Sequence, residues 1–244
     1  MPYTTGNSKI FYQTTGDGPL VVLLHGLLMR GQTWVESGFV QVLSRNFRVV
    51  YPDLLGHGYS DKPSDIKEYE AEQQADIIAE LIKSLGYGKA HIIGYSSGAW
   101  LATVIAQYYS NTVTSLVLGG WDIMDGLPEV SGRKLSFDMF MEFAMKTTPD
   151  LVLSVCSTSE KGLRCYFDIL REHNLMDNFL KTLKIPLMFW AGKTDPYYNA
   201  MKKLAREFHA PFISGSGNHI TEILNPDILS MEQINHFISS CCSE

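Results

Sequence analysis

Short apolar runs rich in β-branched residues recur along the chain at 20–24, 47–51, 90–93, 113–118, 185–190 and 211–214. Continuous rather than alternating hydrophobicity is the mark of strands buried on both faces of a parallel sheet. Between them the pattern changes period. Thr33–Leu43 can form a helix, and from Tyr69 to Leu85 the residues Ala75, Ile78, Ala79, Ile82 and Leu85 recur at helical spacing. Ala99–Tyr109 and Asp227–Ser239 read as further helices. Residues 1–15 read as a hairpin around Gly6-Asn7-Ser8, and Gly16-Asp17-Gly18-Pro19 as a turn. Alternating strand and helix predicts an α/β fold, with a mostly parallel central sheet covered by helices on both faces.

Residues 121–184 break this alternation. Phe137, Phe140, Met141 and Ala144 share one helical face, and Leu163, Phe167 and Leu170 another. The segment is too long for an ordinary connection. It reads as an inserted helical cap on a core built from 1–120 and 185–244, within a single structural domain.

Composition narrows the class. At 244 residues, 45% hydrophobic and 19% charged, the chain has ample material for one α/β core. A net charge of −6 argues against nucleic acid or anionic membrane as partner. No stretch reaches the roughly 18 apolar residues of a membrane span. Met1-Pro2-Tyr3-Thr4-Thr5 carries no secretory signal, so the expected compartment is the cytoplasm. Cys156, Cys165, Cys241 and Cys242 show neither a disulfide framework nor metal-ligand spacing, and reduced thiols are expected. No metal or organic cofactor is implied.

Ligands in open α/β sheets bind at the carboxyl ends of the strands. The residues following the apolar runs are His25-Gly26, Asp53, Ser96, Trp121-Asp122, Asp195 and His219. A serine hydroxyl is a weak nucleophile near neutral pH. A histidine can take its proton, and a carboxylate on the other ring nitrogen fixes the tautomer. Ser96 lies in Gly94-Tyr95-Ser96-Ser97-Gly98, where a strand must turn sharply into a helix. By itself that motif is equally a tight turn without chemistry.

In combination, the motifs resemble those of a capped, single-domain α/β-hydrolase. They are His25-Gly26 with Trp34 following, Asp53-x-x-Gly56-x-Gly58-x-Ser60, the Gly94–Gly98 turn, Gly192-Lys193-Thr194-Asp195, and Gly217-Asn218-His219. The resemblance implies that Ser96 is the nucleophile, His219 the base and Asp195 the acid. It also implies that the backbone N–H groups of Leu27 and Ser97 form the oxyanion hole. Asp122 is the rival acid, because some members of the family place it there. Asp53 is expected to stabilise its loop, His25 to support the oxyanion loop, and His57 to be structural. His91, His173, His209 and His236 carry no motif. Many relatives have a glutamate five residues after the histidine; here that residue is Leu224, which puts the loop packing in question.

A serine rather than an aspartate at the turn argues against dehalogenase or epoxide-hydrolase chemistry. The reaction implied is attack on an ester, lactone or thioester of a small, apolar substrate through an acyl-enzyme. The alternatives are C–C bond hydrolysis, a lyase step or cofactor-free peroxide chemistry on the same triad, or a non-catalytic ligand-binding member. Trp121, Phe140 and Tyr197 are the expected substrate-binding residues. Met124, Met139, Met141 and Met145 are weighed as cap core or as pocket lining.

Overall fold

The structure, a computed structural model, describes residues 3–130, 132–153, 159–172 and 179–242. Cys156 and His173 lie outside the described residues. In chain order the first elements are β1 (Tyr12–Thr15), β2 (Leu20–Leu24), α1 (Thr33–Glu36), α2 (Phe39–Leu43) and β3 (Arg48–Pro52). They are followed by α3 (Ala71–Ser84), β4 (Ala90–Tyr95), α4 (Ser97–Tyr108) and β5 (Val113–Gly119). A small hairpin, β6 (Glu129–Val130) and β7 (Arg133–Lys134), precedes α5 (Phe137–Thr147), α6 (Pro149–Leu153), α7 (Glu160–Glu172) and α8 (Phe179–Thr182). The chain then returns through β8 (Leu187–Gly192), α9 (Tyr198–Glu207), β9 (Phe212–Gly215), α10 (Thr221–Leu224) and α11 (Ile228–Ser240).

Seven strands form one sheet in the order β1-β3-β2-β4-β5-β8-β9. All neighbours run parallel except β1, which pairs antiparallel with β3 at one edge. Alternate residues feed two separate cores, as the pleat requires. Val22, Leu24, Ile92, Leu116, Leu118 and Phe189 face the layer of α3, α4 and α9. Val21, Leu23, Ile93, Val117, Met188 and Trp190 face α2 and α11. Both faces of the central strands are therefore dry, which is why β2, β4 and β8 are buried throughout and read as apolar runs.

The sequence order reverses where β2 meets β4, with Leu24 opposite Gly94. That reversal opens a crevice at the carboxyl ends of the two strands. His25-Gly26 and Ser96 emerge side by side at this point. Tyr95 lies opposite Gly119, and Gly119 opposite Trp190, so the later strand ends reach the same rim.

Several expectations are corrected. The expected hairpin at 1–15 reduces to an isolated bridge between Tyr3 and Phe11, since β1 pairs instead with β3. The helix expected over Thr33–Leu43 is two short helices, broken at Gly38, whose φ of 87° no helix accommodates. Residues between β5 and β8 include the exposed β6–β7 hairpin, which has no apolar pattern to betray it. Phe137, Ala144, Leu163, Phe167 and Leu170 are buried as their spacing predicts. Met124, Met139 and Met145 are exposed and so lie outside the core, Met124 at the edge of a cleft lined by Trp100 and Trp121. Among the described residues no helix is long and apolar enough to cross a membrane.

Candidate active site

Ser96 occupies the junction of β4 and α4 with φ 55° and ψ −124°. This conformation is strained for a residue with a side chain, costing about 1–3 kcal/mol. The surroundings enforce it. The Ser96 N–H donates to Gly119 O at 2.7 Å, and both flanking glycines are pressed against backbone. A Cβ on Gly94 would collide with Gly98 O, and one on Gly98 with Leu24 O. The close approach of α4 to β2 and β4 thus requires glycine two residues either side of Ser96. That approach turns the Ser96 hydroxyl out of the sheet at the N-terminus of α4.

His219 reaches this hydroxyl from the loop between β9 and α10. Its Nε2 lies 3.0 Å from Ser96 Oγ, and its Nδ1 lies 2.9 Å from Asp195 Oδ2. The Asp195 side chain is fully buried, whereas that of His219 is 25% exposed. The second carboxylate oxygen, Oδ1, accepts from Tyr197 N–H at 2.8 Å, which holds the carboxylate plane. Asp122, the rival acid, is turned onto its own loop: its Oδ1 accepts from Met124 and Asp125 N–H at 2.9 and 3.1 Å.

The loop after β2 is organised by His25. Leu54 N–H donates to its Nε2 at 2.9 Å, so the ring proton sits on Nδ1 and is donated to Gly26 O at 2.8 Å. Complete burial lowers the His25 pKa to about 4 and keeps the ring neutral. Gly26 lies against the Ser96 turn: a Cβ there would sit 3.2 Å from that of Ser96. Leu28 follows with φ 65°. Neither the Leu27 N–H nor the Ser97 N–H, which begins α4, meets an acceptor among the described residues. Asp53 binds Gly31 N–H at 2.7 Å and Tyr59 N–H at 2.8 Å, tying two loops together. His57 is buried and donates from Nδ1 to Leu55 O at 3.0 Å; desolvation lowers its pKa to about 3.

Of the expected pocket residues, the Tyr197 ring lies 5.8 Å from that of His219, and Trp121 packs 5.8 Å from Tyr197. Trp121 and Trp100 share a small cleft with Ile123, Leu127 and Leu170. Phe140 packs within the inserted segment, 5.5 Å from Phe167. Among the described residues no group of three His, Cys, Asp or Glu side chains is placed to hold a metal ion.

Two residues at the site are absent from the expectations drawn from the sequence. Tyr95 donates its hydroxyl to His219 O at 2.8 Å. Glu222 is buried, accepting from Trp190 Nε1 at 2.7 Å and from Gly217 N–H at 2.9 Å. Glu222, in α10, thus provides a buried carboxylate two residues before Leu224. The one available hint was a cluster of glycines at strand ends, Gly192, Gly215 and Gly217, whose missing side chains make room for Glu222.

Comparison with known proteins agrees with this architecture. The chain is 39% identical over 109 residues to the pimeloyl-[acyl-carrier protein] methyl ester esterase of Methylococcus capsulatus, covering 45% of this chain and 39% of that protein. The first curated relatives are matched over only 30 to 42% of their own length. The enzyme of the same name from Vibrio cholerae is 27% identical over 235 residues, covering 83% of this chain and 86% of that one. Among solved structures, the enol-lactonase from Burkholderia xenovorans superposes with a TM-score of 0.77 at 21% identity, covering 100% of both chains. A family model described as the alpha/beta hydrolase fold matches residues 19–152. With the sheet order, the strained Ser96 turn and this match in agreement, the chain belongs to the alpha/beta hydrolase fold family.

Proposed function

We propose that this protein is a serine hydrolase acting on an ester, lactone or thioester of a small, apolar substrate. The observation that carries the reading is the unbroken series from Ser96 Oγ through His219 to Asp195 Oδ2, with links of 3.0 and 2.9 Å. In this reading His219 Nε2 takes the hydroxyl proton as Ser96 Oγ bonds to the carbonyl carbon. Asp195 holds the proton on Nδ1, so that Nε2 is the free base. The carbonyl oxygen, gaining charge, receives the N–H groups of Leu27 and Ser97; each such donor is worth about 2.7–4 kcal/mol. The imidazolium returns its proton to the leaving alkoxide or thiolate, leaving an acyl-enzyme. Water, deprotonated by His219, then releases the acid and restores Ser96.

Residues 121–184 act as a cap in this reading, with Tyr166 of α7 packing 5.2 Å from His57 and 5.9 Å from Trp100 beside the Ser96 turn. Trp121 and Tyr197 form an apolar wall on the His219 side, while Phe140 packs on Phe167 within the cap. Likeness to methyl ester esterases and to an enol-lactonase favours both open and cyclic esters as substrates. The test is turnover of p-nitrophenyl esters of increasing acyl length by wild type and Ser96→Ala. The expected result is hydrolysis by wild type, reduced by about 10³-fold or more in the variant. Turnover by Ser96→Ala at the wild-type rate would remove the nucleophile assignment.

A further inference from the structure

We propose that Tyr95 and Glu222 are positioning residues that clamp the loop carrying His219 and set its imidazole between Asp195 and Ser96. The inference rests on the catalytic reading of Ser96, His219 and Asp195 above, and it concerns two side chains outside that series.

The loop between Gly215 and Thr221 is short and its backbone is held at separate points. Glu222 Oε2 accepts from Gly217 N–H at 2.9 Å, while Gly217 O accepts from Thr194 N–H at 3.1 Å. Two residues on, His219 O accepts the Tyr95 hydroxyl at 2.8 Å. The backbone is therefore held on either side of Asn218, while the imidazole ring is hydrogen-bonded to Asp195 and Ser96 and packs between the Tyr95 and Tyr197 rings.

Both clamping groups are rooted in the sheet. Tyr95 is the last residue of β4 and precedes Ser96 directly, so one strand end carries the nucleophile and a tether for the base. Its ring is fully buried, 5.0 Å from that of Trp190, in space that side chains at Gly119 and Gly120 would fill. The Trp190 indole N–H continues the tie to Glu222 Oε1 at 2.7 Å. The Glu222 carboxylate is 1% exposed and rests against Gly192, Gly215 and Gly217. The charged groups that bear on it are Asp195 after β8 and Asp227 before α11, both negative, with the Tyr95 phenol on the β4 side. Glu222 is thus held by two N–H dipoles, from β8 and from the His219 loop, and that pair of bonds ties the loop to the strand.

The geometry makes such tethering consequential. The imidazole must meet both partners within hydrogen-bond range at once, and a displacement of about 1 Å can cost about 100-fold in rate.

The test compares wild type with Tyr95→Phe, which deletes one hydroxyl and keeps the ring, and Glu222→Gln, which keeps the shape but presents an NH₂ group to one of the two donors. Three quantities are read: kcat and KM on a p-nitrophenyl ester, the ring ¹⁵N signals of His219, and hydrogen exchange at the Gly217 amide. The expected result is a kcat lowered between about 10-fold and about 100-fold with KM within about 3-fold, shifted His219 signals, and faster Gly217 exchange in Glu222→Gln. Folded variants with wild-type kcat and unchanged His219 signals would overturn the clamp. A fall in melting temperature with those quantities unchanged would mark a merely structural role and overturns it equally. If wild type hydrolyses no ester, the catalytic reading fails. The resonance and exchange measurements then still decide the clamp, which falls if neither responds.

Discussion

The two candidate acids show what a single side chain can and cannot reveal. Asp122 and Asp195 both follow an apolar run and both lie at the carboxyl edge of the sheet, so sequence order admits either. The distinction comes from the loop after β9, which delivers His219 Nδ1 to within 2.9 Å of Asp195, while the Asp122 carboxylate caps its own turn. Asp195→Asn should therefore reduce kcat on an ester substrate by about 10⁴-fold, because an amide holds the wrong tautomer of His219. Asp122→Asn keeps an oxygen acceptor for Met124 and Asp125 and should retain activity within a few-fold. The opposite ranking would exchange the two roles. Tyr95 and Glu222 escaped the sequence because their importance lies in contacts across the fold: Tyr95 meets the chain 124 positions away, and Glu222 meets Trp190 32 positions away.

At the scale of elements, the strands and long helices were legible because burial on two faces, or on one helical stripe, leaves a periodic trace. The six parallel strands and α3 follow those traces within a few residues. Elements held by backbone geometry left no such trace. The expected single helix at 33–43 divides at Gly38, and the 129–134 hairpin is polar and exposed. The Ser96 turn is the exception, since its glycines are demanded by contact and stand in the sequence as a pattern. Gly98→Ala tests that demand. Its methyl would collide with Leu24 O and press on His25 O, prying α4 from β2. The expected loss of stability is about 1–3 kcal/mol, seen as a lower midpoint in urea with an unchanged slope. A midpoint equal to wild type would show that α4 does not need so close an approach.

Over the whole molecule, the buried polar groups include three histidines, His25, His57 and His91. His25 and His91 are lowered to about 4 and His57 to about 3, in each case chiefly by desolvation. His91 lies away from the Ser96 end of β4, bonded to Ser115 Oγ at 2.8 Å. Because these values are depressed in the folded protein, the unfolded chain takes up protons first. The stability they contribute is complete above about pH 6.5 and is lost as pH falls towards 4, each ring contributing up to about 1.4 kcal/mol per pH unit. Unfolding free energy measured in denaturant should thus fall from pH 7 to pH 5, and His91→Gln should flatten that slope. Stability independent of pH over this range would contradict the burial of neutral rings.

These scales meet at Ser96, whose hydroxyl is set by its two glycines, by the strands that press on them and by the loop that brings His219 across the rim. The most direct test of that convergence is the mass of the protein after treatment with an organophosphonate, followed by peptide mapping. A single phosphonyl adduct on Ser96, absent in Ser96→Ala and slowed by about 100-fold or more in His219→Gln, is the predicted result. Folded wild-type protein that takes up no adduct, or takes it up on Ser97 or elsewhere, would contradict the assignment of Ser96 as an activated nucleophile.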